Sequence, residues 1–391
     1  MIDILSTAFG SIRLVRSSSA LHNTKAANNL RAWDAADELL LAYLADNELP
    51  KNTGRLLIIN DNFGALSCSL SQYNPCSWSD SSVSLAAAKY NYAANDLGNS
   101  PANPLETLAS TSDFLGNADV VLIKIPKTLA LLEHQLMSLR KNTTEKTIII
   151  GAGMVKYLET SYFQLFEKII GGTSVSLAKK KARLIFSTVD QTKQPAPSPY
   201  PIKVAIDEFD LSTINYANVF SREKLDIGSR FFIEHMKSLP AASSIIDLGC
   251  GNGILGIVAK RLYPTAKITF IDESYMAIAS AKASLEHYLG GIITPEHRCD
   301  FVVSNSLDQA NGEPVELVLC NPPFHQNNTI GDEIASKMFI QSKRILINGG
   351  RIRIVGNRHL NYHIALKRLF GNCRTIANNK KFVILEAINH C

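Results

Sequence analysis

The residues best suited to chemistry form a glycine-rich loop, DLGCGNG, at residues 247–253. Glycine lets the backbone turn sharply and approach a ligand without a side-chain collision, which is typical of a loop that binds a nucleotide-type cofactor. A dehydrogenase fingerprint would need a small residue where Ile254 stands, so a dinucleotide is disfavoured. Asp247 suits a smaller ligand with an amino-acid group, because its carboxylate can organise the site near an ammonium. For the loop alone, a tight turn without a ligand is the alternative.

Two further positions extend this candidate site. Asp272 ends the next expected strand, where a carboxylate can accept hydrogen bonds from two ribose hydroxyls. The segment NPPF, residues 321–324, follows a later strand, and its prolines fix the direction of their carbonyls. The Asn321 side-chain oxygen and the Pro322 carbonyl can accept both hydrogens of one amine, while Phe324 offers a flat face to a base. Alone, this segment could equally be a rigid turn with a core phenylalanine.

The elements that must position these residues alternate between short β-branched strands and amphipathic helices. We expect strands at residues 244–248, 267–271, 300–303, 315–320, 351–355, 373–377 and 381–387, and helices at residues 253–262, 274–287, 333–346 and 362–370. Such alternation predicts a parallel sheet covered on both faces. The pair Asn378-Asn379 between the last two strands predicts an antiparallel hairpin that closes the sheet.

The first half of the chain repeats this order in degraded form. The segment RLLIINDNFG at residues 55–64 is similar to residues 244–253, and VLIKIPK at residues 121–127 is similar to residues 317–323. The alignment places Asn60, Asn62 and Ile125 at the positions of Gly249, Gly251 and Asn321. We therefore expect a duplicated domain that has lost its cofactor site, the alternative being two unrelated α/β domains.

Length and composition narrow the class of protein. A chain of 391 residues with 46% hydrophobic and 19% charged residues fits two globular domains. Four prolines within residues 191–202 predict a stiff linker between domains at residues 1–190 and 203–391. Seven scattered cysteines without a C-x-x-C pair predict reduced thiols and no zinc site, and His359 and His363 lack the glutamate of a zinc-protease helix. Without a long apolar run or a signal peptide, we expect a cytoplasmic protein.

Charge is uneven near the C-terminus. Residues 334–385 contain eleven basic residues and no Asp or Glu, which predicts phosphate contacts, with a solvated basic surface as the alternative. We expect RNA contacts from Arg358, Lys367, Arg368, Lys380 and Lys381. In the first domain, the cluster at residues 179–183 and the face around Lys124 and Lys127 are expected to grip flanking RNA.

These motifs together resemble a known family. DLGCGNG, the strand end at residues 272–274 and NPPF resemble class I S-adenosylmethionine-dependent methyltransferases that act on exocyclic or amide nitrogens. Four longer segments closely resemble the RlmG/RsmC family of ribosomal RNA guanine-N2 methyltransferases; they lie at residues 219–232, 320–326, 356–373 and 378–387. The fit is better to the RlmG branch, which acts on the large-subunit 23S rRNA. It covers about residues 218–388 and is weaker over the first 190, where the family has a duplicated, cofactor-free domain.

The resemblance implies a fold, a reaction and a set of site residues. The fold is two tandem Rossmann-like α/β domains with mostly parallel seven-stranded sheets and an antiparallel C-terminal hairpin, the first domain being degenerate and RNA-binding. The cofactor residues implied are Asp247, Gly249, Cys250, Gly251, Asn252, Gly253, Asp272, Glu273, Asn305 and Asn321. The catalytic residues implied are Asn321, Pro322, Pro323 and Phe324.

The implied activity is methylation of N2 of one guanine in 23S rRNA by a monomeric enzyme that needs neither metal nor membrane. A 16S rRNA guanine, an adenine N6 and a protein glutamine amide are alternative substrates, because each presents an NH2 group to the same loop. A non-catalytic RNA-binding assembly factor is the alternative from another class, since fold alone does not establish activity.

Overall fold

The computed structural model describes residues 3–16, 31–50, 53–97, 104–113, 116–194, 196–309, 312–323 and 329–390. The chain divides into two compact units, Met1–Pro199 and Tyr200–Cys391. This division falls within the segment 191–202 that the sequence predicts as a linker, and Ile202, the last residue of that segment, begins a strand of the second unit.

The first unit has a two-stranded hairpin followed by a seven-stranded sheet. Its strands are β1 (Asp3–Thr7), β2 (Gly10–Leu14), β3 (Leu56–Ile59), β4 (Cys76–Ser79), β5 (Glu106–Ala109), β6 (Val120–Lys124), β7 (Ile148–Met154), β8 (Thr173–Val175) and β9 (Ala182–Ser187). Its helices are α1 (Ala35–Asp46), α2 (Ala65–Ser69), α3 (Ser82–Ala94), α4 (Leu129–Arg140) and α5 (Thr160–Ile169). The strand order in the sheet is β5-β4-β3-β6-β7-β9-β8.

The second unit repeats this arrangement. Its strands are β10 (Ile202–Ile206), β11 (Leu211–Asn215), β12 (Ser244–Leu248), β13 (Lys267–Asp272), β14 (Cys299–Val303), β15 (Val315–Cys320), β16 (Leu346–Asn357), β17 (Arg374–Asn378) and β18 (Phe382–Ile388). Its helices are α6 (Ile227–Glu234), α7 (Ile254–Leu262), α8 (Tyr275–Leu289), α9 (Thr329–Ile345) and α10 (Tyr362–Phe370). Strands β10 and β11 form a hairpin, and the sheet order is β14-β13-β12-β15-β16-β18-β17.

The two sheets have the same topology, which confirms the predicted fold class. In each sheet the first five strands pair in parallel and the last two pair antiparallel. The central strands are continuous apolar runs such as LLII in β3, as expected for parallel strands buried on both faces. The predicted closing hairpin is also present, with a turn in which the Asn379 side-chain oxygen accepts hydrogen bonds from the amides of Lys381 and Phe382.

Strand register corrects the alignment of the two halves. Leu248 and Ile59 end equivalent strands, because each lies five residues before a glycine with φ near +80° that begins a helix. On the neighbouring strand, Leu248 pairs with Cys320 and Ile59 pairs with Ile123. The residues after Cys320 and Ile123 are Asn321 and Lys124. Lys124, and not Ile125, therefore occupies the position of Asn321. Matching the letters shifted this segment by one residue because both copies place proline close to the strand end.

Candidate active site

The predicted site residues come together at one edge of the second sheet. Strands β14, β13, β12 and β15 are adjacent and parallel, so their carboxyl ends lie side by side. Asp272 ends β13, and the segments that leave β14, β12 and β15 carry Asn305, the glycine loop at residues 247–253 and Asn321. Ligands of open α/β sheets bind in the crevice outside this edge.

The glycine loop makes a turn that needs glycine and leaves room above it. Gly249, Gly251 and Gly253 have φ of 70°, 54° and 80°, in the left-handed region. A Cβ at Gly253 would lie 2.9 Å from the Cβ of Ala281, so that position requires glycine for packing as well. A Cβ at Gly251 would meet nothing within 4 Å, so the backbone there borders open space that a ligand can use.

Asp272 holds this loop in place. Its Oδ2 accepts a hydrogen bond from the Gly251 amide at 3.0 Å, and its Oδ1 accepts one from the Ser274 amide at 3.0 Å. The Asp272 carbonyl also accepts a bond from the Ser304 amide at 2.8 Å, next to the half-buried Asn305. The carboxylate predicted to bind ribose thus connects the glycine loop to the loop after β13, and the backbone carbonyl of the same residue connects it to the loop after β14.

Asp247 is buried, with 1% of its surface exposed. Its Oδ2 accepts a hydrogen bond from the Gly256 amide at 2.8 Å, so it fixes the first turn of α7. Burial raises the pKa of Asp247 to about 8; the Gly256 hydrogen bond opposes this shift, and the nearby charge of Asp272 adds to it. The Asp247 carboxyl group thus bonds the protein backbone and is not exposed to the crevice.

The remaining predicted loop residues differ in what they offer. The Cys250 side chain packs in the hydrophobic core, where burial raises the pKa of its thiol. Only the backbone of Cys250 is therefore available to a ligand of the loop. The Asn252 side-chain oxygen accepts a 3.3 Å hydrogen bond from the Ile254 amide. Glu273 is half-buried beside Asp272.

The Asn321 side chain is held by hydrogen bonds at its nitrogen, and its oxygen has no partner among the described residues. Its Nδ2 donates to the Ser229 Oγ at 2.9 Å and to the Asp226 Oδ2 at 3.2 Å. Its Oδ1 is buried and has no hydrogen-bond partner within the described part of the chain. Pro322 is buried and Pro323 half-buried, whereas Phe324 lies outside the described residues and its role stays a prediction.

Asp226 and Ser229 are the functional candidates that sequence reasoning missed. They lie more than ninety positions before Asn321, at the start of α6. Two local signals were present: both residues lie within the family-like segment 219–232, and an Asp followed three residues later by Ser before an apolar run is typical of a helix start. Neither signal indicates a contact with Asn321.

Several basic residues of the stretch 334–385, which has no Asp or Glu, are engaged in ion pairs within the protein. Glu386 lies one residue beyond the stretch and forms ion pairs with Arg351, Arg353 and Arg374 at its two oxygens. Arg353 is fully buried and also donates to the Ser238 Oγ and the Ser238 carbonyl. The expectation that the whole stretch faces phosphates is therefore wrong for the buried Arg353, and Arg351 and Arg374 share with it the single negative charge of Glu386.

Lys337 and Lys124 are also buried and form ion pairs within the protein. Lys337 is buried and pairs with Asp308 at 2.6 Å. Lys124 is buried, with 8% of its surface exposed, and pairs with Asp34 at 2.6 Å and Asp37 at 2.8 Å. The expected RNA contact around Lys124 is therefore wrong at that residue, whereas Lys127 is exposed.

The basic residues predicted to contact RNA are all exposed; they are Arg358, Lys367, Arg368, Lys380 and Lys381. Asn357 pairs with Phe382 across β16 and β18, so Arg358, Lys380 and Lys381 lie at the same sheet edge as Asn321. Lys367 and Arg368 lie in the last turn of α10, at the end of the helix away from that edge.

Neither a metal site nor a membrane span is found within the described residues. They contain no group of three or more His, Cys, Asp or Glu side chains placed to hold a metal ion. None of the helices among them is long and apolar enough to cross a bilayer.

Comparison with known proteins agrees with this fold. The model described as "Methyltransferase small domain" matches residues 210–386, and the model described as "RLMG N-terminal domain" matches residues 3–191. The second unit thus defines the chain as a methyltransferase.

Similar chains define the particular family. Proteins named ribosomal RNA large subunit methyltransferase G from Erwinia tasmaniensis and Pseudoalteromonas atlantica are each 47% identical to this chain, over 92% of it and 93% of their own length. The chain belongs to the ribosomal RNA large subunit methyltransferase G family. A solved structure titled "T. Thermophilus 16S rRNA N2 G1207 methyltransferase (RsmC) in complex with AdoMet and Guanosine" has the same fold, with a TM-score of 0.75, 17% identity and coverage of 100% of this chain and 98% of that one.

Proposed function

We propose that this protein transfers a methyl group from S-adenosylmethionine to the exocyclic N2 of one guanine in 23S rRNA. The observation that carries the proposal is the buried Asn321 Oδ1, which has no partner among the described residues. A buried acceptor without a donor is costly, so the site favours a ligand that brings an N–H group. The large-subunit name of the relatives supports 23S rRNA as the substrate.

The residues around the glycine loop fit the cofactor. Open space above Gly251 admits a ligand to the backbone. Carboxylate oxygens carry several lone pairs, so Asp272 can accept from ribose hydroxyls while it holds the amides of Gly251 and Ser274. Asn305, a cofactor residue implied by the resemblance, lies in the loop after β14 at the same edge, and we assign it to the adenine of the cofactor. When bound, S-adenosylmethionine supplies an electrophilic methyl group on a positively charged sulfur.

The chain's contribution to the reaction is mainly orientation. The guanine N2 lone pair is delocalised into the ring, so this amine is a weak nucleophile. Asn321 Oδ1 accepts one N2 hydrogen and the Pro322 carbonyl accepts the other, which favours a pyramidal nitrogen with a directed lone pair. The methylated nitrogen loses its proton readily to water, so no strong base is required.

RNA binding completes the proposal. Arg358, Lys380 and Lys381 are exposed at the edge that carries Asn321, and we assign them to phosphates next to the target base. Lys367 and Arg368, farther away, would contact RNA more distant from it. Flipping a paired guanine out of a duplex costs a few kcal/mol, which such contacts can offset.

The first unit would grip flanking RNA. Its exposed residues Lys179, Lys180 and Lys181 form a turn at the carboxyl edge of the first sheet, since Ala182 pairs with the last residue of β7. The described residues assigned to cofactor and target amine all come from the second unit of one chain, which supports a monomeric enzyme. With ribosomal RNA as its substrate, the enzyme would act in the cytoplasm.

The proposal is tested with methyl-labelled S-adenosylmethionine and separate protein-free 16S and 23S rRNA, followed by digestion to nucleosides. We expect label in N2-methylguanosine from 23S rRNA. Asn321→Ala should slow transfer about 10²-fold with unchanged cofactor affinity. Asn62→Ala, at an exposed loop position of the first unit, is the matched control and should keep full activity.

Three outcomes would contradict the proposal. Label in 16S rRNA alone would indicate the small-subunit reaction. Label in N6-methyladenosine would indicate another target amine. No transfer to either RNA, with intact cofactor binding, would favour a non-catalytic assembly factor.

A further inference from the structure

We infer that Asp226 and Ser229 are positioning residues that orient the Asn321 amide so that its oxygen faces the target amine. The inference rests on the proposed function, in which Asn321 Oδ1 accepts a hydrogen bond from that amine. It adds two residues, both distant in sequence, that decide whether Asn321 offers an acceptor or a donor.

The chemistry of the contacts fixes the direction of the amide. An ionised carboxylate only accepts hydrogen bonds, so the group of Asn321 that contacts Asp226 Oδ2 at 3.2 Å must be the NH2. The Ser229 Oγ, at 2.9 Å from the same nitrogen, fixes its position. A flipped amide would bring Oδ1 against the carboxylate and turn two N–H donors toward the target amine, which is itself a donor.

The start of α6 makes this pair of contacts rigid. Asp226 is the N-cap residue, and its Oδ2 also accepts the Ser229 amide at 2.8 Å. One oxygen atom therefore serves both the helix start and Asn321. Ser229 is 7% exposed, so its hydroxyl has little freedom to turn away.

The first unit shows that such a helix start does more than cap its own helix, because it also binds the side chain at the end of a neighbouring strand. Lys124, at the position of Asn321, contacts Asp34 and Asp37. Asp34 is the N-cap residue of α1, and Asp37 follows it by three residues, as Ser229 follows Asp226. In both units the helix start holds a side chain at the carboxyl end of a central strand, Lys124 at the end of β6 and Asn321 just after β15. In the first unit that side chain is an ammonium, which cannot accept an N–H.

Two substitutions remove the contacts while preserving the helix. Asp226→Ser retains a good N-cap but withdraws the carboxylate from Asn321, and Ser229→Ala removes only a hydroxyl. We expect each to lower single-turnover methyl transfer about tenfold, with cofactor affinity unchanged. Ser229→Thr keeps the hydroxyl and should restore most of the rate. Ser221→Ala, which removes a hydroxyl bonded to the Lys224 carbonyl in the same segment, is the matched control and should be fully active.

A double-mutant cycle separates positioning from a structural role. If both residues act through Asn321, adding Ser229→Ala or Asp226→Ser to Asn321→Ala should slow transfer no further. Additive losses would overturn the inference, because the residues would then act independently of Asn321. Full rates in both single variants beside a slow Asn321→Ala would also overturn it and leave the proposed function standing. A fully active Asn321→Ala would reject the acceptor role that the proposed function gives to Asn321, and the inference with it, while the methyl transfer itself would stand.

Discussion

The two glycine-type loops of this protein share a left-handed backbone at their first and last positions and differ in their side chains. Asn60 has φ of 62° where Gly249 has 70°, since asparagine tolerates the left-handed region. Gly64 and Gly253 have φ of 81° and 80°, and a Cβ at either would lie within 3.0 Å of an alanine on the next helix, Ala88 or Ala281. Packing of that helix has therefore kept the turn in both units.

The difference is that the first loop satisfies its own polar groups. The Asn60 Nδ2 donates to the Lys124 carbonyl and to the Gln135 side chain. Asp61 accepts from the amide and hydroxyl of Ser67, the hydrogen bond to the helix start that Asp247 makes in the second unit. The second loop instead leaves open space at Gly251, and the neighbouring loop after β15 holds Asn321 Oδ1, an acceptor without a partner among the described residues. A fold can thus lose a ligand site by filling it with internal hydrogen bonds and ion pairs while its sheet stays intact.

The largest contrast should appear in stability. Lys124→Ala leaves Asp34 and Asp37 without their cation, and we expect the first unit to lose about 3–5 kcal/mol of unfolding free energy. Asn321→Ala, at the equivalent position, should cost the second unit only about 1 kcal/mol, since a neutral donor is lost. Both tryptophans, Trp33 and Trp78, lie in the first unit, so tryptophan fluorescence during urea unfolding reports on that unit. Far-UV circular dichroism over the same urea series follows both units and gives the loss in the second. Equal losses would contradict the contrast.

Cofactor binding should distinguish Asp272 from its counterpart. Ile271 pairs with Leu248 and Trp78 pairs with Ile59, and Leu248 and Ile59 are equivalent strand ends. The next residues, Asp272 and Ser79, are therefore equivalent. Asp272→Ala should weaken S-adenosylmethionine binding by about 10²-fold through lost charged hydrogen bonds, whereas Ser79→Ala should leave it unchanged. Titration calorimetry should give one site per chain; two sites would show that the first unit still binds the cofactor.

The buried carboxylate of Asp247 predicts a pH effect. Its pKa, raised by burial to about 8, exceeds that of the unfolded chain, so the folded protein retains a proton that the unfolded chain releases between pH 4 and 8. Stability should therefore fall as pH rises through that window, by up to about 1.4 kcal/mol per pH unit from this group. Asp247→Asn should flatten the profile measured by thermal unfolding without cofactor. An unchanged slope would indicate that Asp247 is ionised in the folded protein.

The smallest effect concerns the two lysine turns. Lys380→Ala with Lys381→Ala should lower the slope of log affinity for RNA against log salt by roughly 0.7 to 0.9 per lost contact. The equivalent change at Lys180 and Lys181 should lower it less, because Lys180 pairs with Glu38 at 2.8 Å. Filter binding of 23S rRNA over a salt series measures both. A larger effect in the first unit would reverse the proposed order of contacts.

Local signals made most of the second unit predictable. The glycine loop, the strand-end Asp272 and Asn321 are each recognisable within a few residues, and parallel strands bring such positions to one edge. Contacts between distant segments left no such signal. Glu386 pairs with Arg353 from the neighbouring strand β18, and Asp226 reaches Asn321 from the start of α6. Charge counts and motif spacing could not reveal either pairing.

Helix α6 is held at both ends by groups already described. Its first turn carries Asp226 and Ser229 against Asn321, and just beyond its last turn Ser238 bonds the buried Arg353. Each added residue would rotate one end against the other by about 100° and advance it by about 1.5 Å. Among descendants of this sequence, the interval from Asp226 to Ser238 should accept substitutions freely at its exposed positions yet show neither insertions nor deletions.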